Sequence, residues 1–163
     1  MSLKEVERMR KLAIAHSTPA SQYISEMFDA ASPRADIAAT VLHGDLSKGK
    51  PDPAWSTASE KTLRNEMAQL PSNFSSRLEF SRVKCGPSLC EIQAAARFTS
   101  PYQSSEDILD WQAFVQEMLR SPSSQADQLT NPVTILSMTP DDRPLFVVYF
   151  HRGQKGGSNS AGN

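Results

Sequence analysis

The two cysteines are the residues whose type and spacing most directly predict chemistry in this chain. Cys85 and Cys90 are the only cysteines among 163 residues, and a short segment with Gly86 and Pro87 separates them. The residues on both sides are typical of β-strands, which indicates a hairpin with a four-residue loop. Facing Cβ atoms in such a hairpin lie about 4.5–5.5 Å apart, close to the roughly 3.5–4.5 Å that a disulfide needs. The spacing therefore favours a structural disulfide that fixes the strand register.

Three other interpretations of this cysteine pair stay open at this point. A thioredoxin-like redox pair has the Cys-x-x-Cys spacing at the start of a helix, whereas this spacer is longer and its flanks resemble strands. A zinc site needs about four ligands, and the three histidines of the chain are not at ligand spacing. Two buried, reduced thiols are the third alternative. The disulfide interpretation implies an oxidising compartment, periplasmic or extracellular and associated with the cell envelope.

Composition and motifs exclude several classes of protein. The net charge of -1 provides no basic field for nucleic acid. The chain contains no Gly-x-Ser-x-Gly, His-Glu-x-x-His or Walker-type motif. We therefore expect a protein that is not an enzyme, with no catalytic residue, no metal and no cofactor. A catalytic pair of carboxylates leaves no local signature and stays open as an alternative.

The order of the predicted elements indicates an α+β fold with four parts. Residues 1–46 form a helical arm, residues 47–53 a linker rich in proline and glycine, and residues 153–163 a disordered tail. Between them, residues 54–152 follow the order αββαββ. This order predicts a four-stranded antiparallel sheet with helices on one face.

Side-chain alternation predicts how the strands are placed. Cys90, Ile92 and Ala94 share one face of their strand, opposite Glu91 and Gln93. In the preceding strand, residues 78–80 and 83–85 alternate in opposite phases, which a bulge near Ser81 and Arg82 would reconcile. The last strand, residues 144–151, is apolar on both faces and is therefore expected at the centre of the sheet.

The cysteine hairpin also supports a resemblance. The pattern Val83-x-Cys85-x-x-x-x-Cys90-Glu91-Ile92, with a helix carrying Trp111 and a closing strand Tyr149-Phe150-x-Arg152, resembles uncharacterised extracytoplasmic domains of proteobacteria. The likeness covers residues 55–152. Such domains often follow a signal peptide, a lipobox or a single membrane anchor. The resemblance implies a secreted or tethered module and transfers no catalytic residue.

Three functions are compatible with these features. The favoured one is a non-catalytic protein-interaction module, with a homodimer through the N-terminal helices as one arrangement. Neither a spanning segment nor a signal peptide is present, so membrane contact is expected only through an anchor outside this sequence. The second function is a small-ligand or peptide binder that uses a groove near Trp55, Tyr149, His151 and Arg152. The third is a thiol-redox enzyme that uses Cys85 and Cys90.

Overall fold

The elements follow the predicted order along the chain, with one short helix in addition. The computed structural model describes residues 2–16, 20–33, 35–71, 78–97, 104–138 and 143–153, so the predicted tail lies outside the described residues except for Gly153. The helices are α1 (Leu3–His16), α2 (Ala20–Phe28), α3 (Ile37–Asp45), α4 (Pro53–Ala68), α5 (Ser104–Arg120) and α6 (Pro122–Ala126). The strands are β1 (Leu78–Cys85), β2 (Leu89–Ala96), β3 (Leu129–Met138) and β4 (Pro144–Arg152).

The four strands form one antiparallel sheet in the order β1-β2-β4-β3. Strand β4 lies between β2 and β3, as expected of a strand that is apolar on both faces. Residues 144–150 are all buried. The predicted α+β fold, with N-terminal helices and a four-stranded antiparallel sheet carrying packed helices, is confirmed.

A bulge in β1 reconciles the two phases of that strand. The pairing of β1 with β2 shifts register between Phe80 and Arg82, next to the unpaired Ser81. Before the bulge, Leu78 packs in the main core, and after it Val83 does. The predicted bulge is therefore confirmed. Its consequence is that Arg82 projects from the face opposite to Val83.

Helices α4 and α5 cover one face of the sheet and form the main core with it. The aromatic rings of Trp111 and Phe146 stack there with their centroids 4.9 Å apart, and Phe114 lies 5.0 Å from Trp111. Leu63 of α4 and Ile92 of β2 are completely buried in the same cluster. This face follows the predicted αββαββ arrangement.

The N-terminal helices α2 and α3 cover the opposite face of the sheet. Met27 and Ala39 pack against Val147 and Tyr149, while Ile24 packs against Leu145 in a neighbouring cluster. The predicted arm thus packs on the sheet, and its burial gives α2 and α3 the stability that helices of nine residues lack alone. Both faces of the sheet are covered.

Helix α4 also caps the outer edge of β1 with three side chains spaced four residues apart. The Ser56 hydroxyl donates to the Gly86 carbonyl (2.7 Å), and Glu60 Oε1 accepts from the Cys85 amide (2.8 Å). One turn further, Arg64 Nη2 donates to the Val83 carbonyl (3.1 Å). Edge strands otherwise present such groups to any added strand. At these positions α4 satisfies them instead.

The loop between β1 and β2 is closed by the predicted disulfide. Cys85 and Cys90 are register partners, and their Cα atoms lie 4.0 Å apart across the Cys85–Cys90 disulfide. Both residues are buried in the main core. A disulfide at this position is consistent with an oxidising compartment.

Replacing both cysteines by alanine is expected to lower the free energy of unfolding by about 2 kcal/mol, because the six-residue ring restricts the unfolded chain only modestly. Urea titrations of the two proteins measure the difference. Wild-type protein in reductant should lose a similar amount. A double variant as stable as the wild type would show that the disulfide contributes nothing to stability.

The segment between α5 and β4 contains one helix that the predicted order αββαββ does not include. Ser121 caps a short helix, α6, because its hydroxyl accepts from the Ser124 amide and Pro122 occupies the first turn. Strand β3 then begins at Leu129, with a register shift between Thr130 and Val133. This irregularity at the sheet edge accommodates Pro132, which has no amide to donate.

Candidate functional site

A completely buried carboxylate lies between the N-terminal helices and the sheet. Glu91 of β2 has no exposed surface. Its Oε2 accepts a hydrogen bond from the Tyr149 hydroxyl (2.6 Å), and its Oε1 accepts one from the Gln93 amide nitrogen (2.7 Å). Glu91 and Tyr149 are register partners on adjacent strands. A buried carboxylate requires such partners, because its desolvation is otherwise very unfavourable.

His43 of α3 supplies a third contact to this carboxylate. Its Nδ1 lies 2.6 Å from Glu91 Oε2, and its ring stacks on Phe28 with centroids 4.2 Å apart. This contact engages Nδ1 and leaves Nε2 for another partner. The His43 side chain is 32% exposed. Glu91 thus orients a partly exposed imidazole.

Arg82 of β1 is the fourth group around Glu91. Its Nε lies 3.6 Å from Glu91 Oε1, and its side chain is 44% exposed. The bulge at Ser81 places Arg82 on the same face as Glu91, whereas a regular strand would turn it to the other face. The bulge in β1 therefore brings Arg82 next to the buried carboxylate of Glu91.

Burial raises the pKa of Tyr149 well above its usual range, and the hydrogen bond to Glu91 and the charge of Glu91 raise it further. Each of these causes disfavours the phenolate, because a second negative charge would face the carboxylate in a dry environment. The Tyr149 hydroxyl therefore remains a donor.

Above about pH 10, the unfolded protein loses the Tyr149 proton and the folded protein retains it. Stability from this residue is complete below that pH and falls as the pH rises, by about 1.4 kcal/mol per pH unit. The Tyr149→Phe variant should show a correspondingly shallower decline between pH 10 and 11. Urea titrations of both proteins at a series of pH values measure the two slopes. Parallel slopes would contradict this assignment.

Glu91 and the residues that contact it form the Glu91 cluster, which comprises Glu91, Gln93, Tyr149, His43 and Arg82. A cleft of about 700 Å³ opens beside this cluster. One wall is the end of α3 with the following segment to Pro51, and the other is the first two turns of α4 with the end of β1. His43 and Arg82 both line it. Lys84 and Glu60 line it as well and form an ion pair with each other at 3.7 Å. The cleft therefore reaches His43 and Arg82, the two partly exposed side chains that contact Glu91.

Of the predicted ligand-binding residues, Trp55 and Arg152 are brought together. The Arg152 guanidinium lies 4.6 Å from the centroid of the Trp55 ring, and Arg152 Nη1 donates to Asp52 Oδ2 (2.8 Å). Trp55 Nε1 donates to the Asp127 carbonyl (3.0 Å). The Arg152 hydrogen bond lowers the pKa of Asp52, and the Trp55 amide lowers it further. Arg152 thus contacts both Trp55 and Asp52, and these contacts connect the end of β4 to the start of α4.

The other two predicted residues lie elsewhere. Tyr149 is buried in the Glu91 cluster, and His151 Nδ1 lies 2.9 Å from the Asn131 carbonyl near the end of β4. The four residues are not among those that line the cleft. These four residues therefore lie outside the cleft described above, and a ligand groove near them stays a prediction.

Among the described residues, neither a group of metal ligands nor a membrane-spanning helix is present. Within these ranges no group of three or more His, Cys, Asp and Glu side chains is arranged for a metal ion. No described helix is both long and apolar enough to cross a bilayer. Cys85 and Cys90 are only 3% and 0% exposed, so the disulfide presents little surface to a redox partner.

The comparisons with known proteins add no relative. No family model, curated protein or solved structure matches this chain. The resemblance to extracytoplasmic domains therefore stays a prediction.

His43, Arg82 and Glu91 were not predicted to belong to one site. The sequence contained an indirect signal, because β4 is apolar on both faces and so requires a second covering layer. Glu91 pairs with this strand and would have to be buried under that layer. The contact with His43, 48 residues away, has no local signature.

Proposed function

We propose that this chain is a non-catalytic protein-interaction module of an extracytoplasmic compartment, and that it binds a segment of its partner in the cleft between α3 and α4. The cleft beside Glu91 carries the proposal, because it is an open site of about 700 Å³. That volume lies within the range of sites that bind ligands.

The construction of the cleft supports a binding role. Its walls combine the disulfide hairpin with Pro51, Pro53 and Pro87, all of which restrict the backbone. Binding to a site that is already ordered costs less conformational entropy. The β1 edge beside it is already hydrogen-bonded to α4, so recognition relies on side chains and not on an added strand.

Site-specific photo-crosslinking tests this function. Benzoylphenylalanine replaces Thr57 or Ser47, two exposed residues that line the cleft, in the full-length protein in its source cells. Both positions are expected to yield the same partner adduct. The matched control is Gln125, an exposed residue of α6 that does not line the cleft.

A variant that fills the cleft sharpens this test. A Cβ built on Gly44 meets nothing within 4 Å, so a Gly44→Phe side chain would extend into open space at the cleft wall. The Thr57 adduct should disappear in this variant while its melting temperature stays near that of the wild type. An adduct that persists, or one that forms equally from Gln125, would contradict the proposal.

A further inference from the structure

Glu91 leaves specific nitrogen atoms of His43 and Arg82 uncommitted. The Nδ1 of His43 is used by Glu91, and among the described residues no partner contacts its Nε2. Arg82 approaches Glu91 through Nε, and in the same ranges Nη1 and Nη2 have no partner. Both side chains line the cleft. Nε2 of His43 and the two Nη groups of Arg82, both held in place by the buried Glu91, are therefore available in the cleft.

The free edge of the Arg82 guanidinium is what an anion would meet in this part of the cleft. Arg82 contacts Glu91 only through Nε, at 3.6 Å. Tyr149 from β4 adds no charge because it stays protonated, and Phe28 from α2 is apolar. Asp36, just before α3, is a further carboxylate whose charge acts on Tyr149, while Lys84 and Glu60 form an ion pair with each other. A planar carboxylate is the anion whose shape suits the two Nη groups.

We propose that His43 and Arg82 form a carboxylate subsite, which receives an acidic side chain or the free C-terminus of the bound segment. This inference rests on the proposed function and names the chemistry that the partner presents. The two Nη groups of Arg82 match the planar fork of a carboxylate, and His43 lines the same cleft. Glu91 is a positioning residue, because it contacts both His43 and Arg82 and is itself completely buried.

The test uses small probes on the folded full-length chain. The probes are acetyl-Gly-Gly-Ala with a free carboxylate, the same peptide as an amide, acetyl-Gly-Asp-Gly-amide and inorganic phosphate. NMR titration follows the side-chain nitrogens of His43 and Arg82. Both carboxylate peptides are expected to shift these signals saturably, and the amide of the first is not. The stronger of the two carboxylates identifies the source as a chain terminus or an acidic side chain.

Substitutions of Arg82 distinguish carboxylate recognition by its guanidinium group from attraction by its positive charge alone. Arg82→Gln should weaken carboxylate binding by about tenfold or more, and Arg82→Lys by an intermediate factor because it retains the charge and loses the fork. Arg120→Gln, at the exposed end of α5, is the matched control and should bind like the wild type. A melting curve for each variant verifies that it is folded.

Each opposing outcome is distinct. Equal binding of the acid and amide peptides, tighter binding of phosphate, or unchanged binding by Arg82→Gln would overturn the carboxylate subsite. If Thr57 adducts form equally with wild-type protein and Arg82→Gln, the interaction module stands and the subsite is wrong. If carboxylates bind through Arg82 and no cleft adduct forms, the subsite stands and the proposed function is wrong.

Discussion

Gly86→Ala is expected to lower the free energy of unfolding by about 3 kcal/mol. A Cβ built on Gly86 would lie 1.7 Å from the Leu46 carbonyl oxygen and 2.7 Å from its carbon. These are backbone atoms at the end of α3, so no side-chain rotation relieves the clash. Either the hairpin loop or α3 must move, and movement of α3 would also separate His43 from Glu91. Urea titration measures the loss, and the His43 NMR signal reports the displacement.

Gly44→Ala is the matched control for this substitution. Gly44 lies in α3 close to Leu46, and an added Cβ meets nothing within 4 Å. Alanine there should stabilise the protein by about 0.5–1 kcal/mol through its helix preference. If both glycine variants changed stability in the same direction and by the same amount, the clash with Leu46 would not be the cause.

Glu91→Ala is expected to lower the free energy of unfolding by about 3–5 kcal/mol, since it leaves the Tyr149 hydroxyl and the Gln93 amide buried without their acceptor. Combining Glu91→Leu with Tyr149→Phe removes both buried polar groups of that pair. The double variant should therefore lose less stability than the sum of the losses of the Glu91→Leu and Tyr149→Phe single variants, by about 1–3 kcal/mol. Urea titrations of the four proteins complete the double-mutant cycle.

Glu117→Ala provides the surface control for this cycle. Glu117 forms an exposed ion pair with Arg120 at 3.8 Å on α5, and its removal should change stability by less than about 1 kcal/mol. Strict additivity of the Glu91 and Tyr149 substitutions would show that the two residues do not act together, despite their 2.6 Å contact.

The hairpin and the sheet were predictable because their signals are local. The spacing of Cys85 and Cys90 and the phase change near Ser81 each lie within a few residues, and both features are present. The central position of β4 followed from its two apolar faces. The α+β fold could therefore be derived from alternation and turn residues alone.

The candidate site was not predictable by the same means. It depends on α3 packing against the second face of the sheet, and the contacts of Ala39 and Leu46 with that face join segments far apart in sequence. Glu91 was predicted to lie on a polar face because apolar and polar residues alternate around it in β2. Only the tertiary contact with His43 shows that this face is buried and that the carboxylate is held by other side chains.

The capping of β1 by α4 limits how copies of this protein can join. A strand added at the end of β1 would have to displace the hydrogen bonds from Ser56, Glu60 and Arg64. These bonds occupy the edge between Val83 and Gly86, the part of β1 next to the disulfide. Growth of the sheet by a further strand at this position would therefore cost three side-chain hydrogen bonds before it gained any.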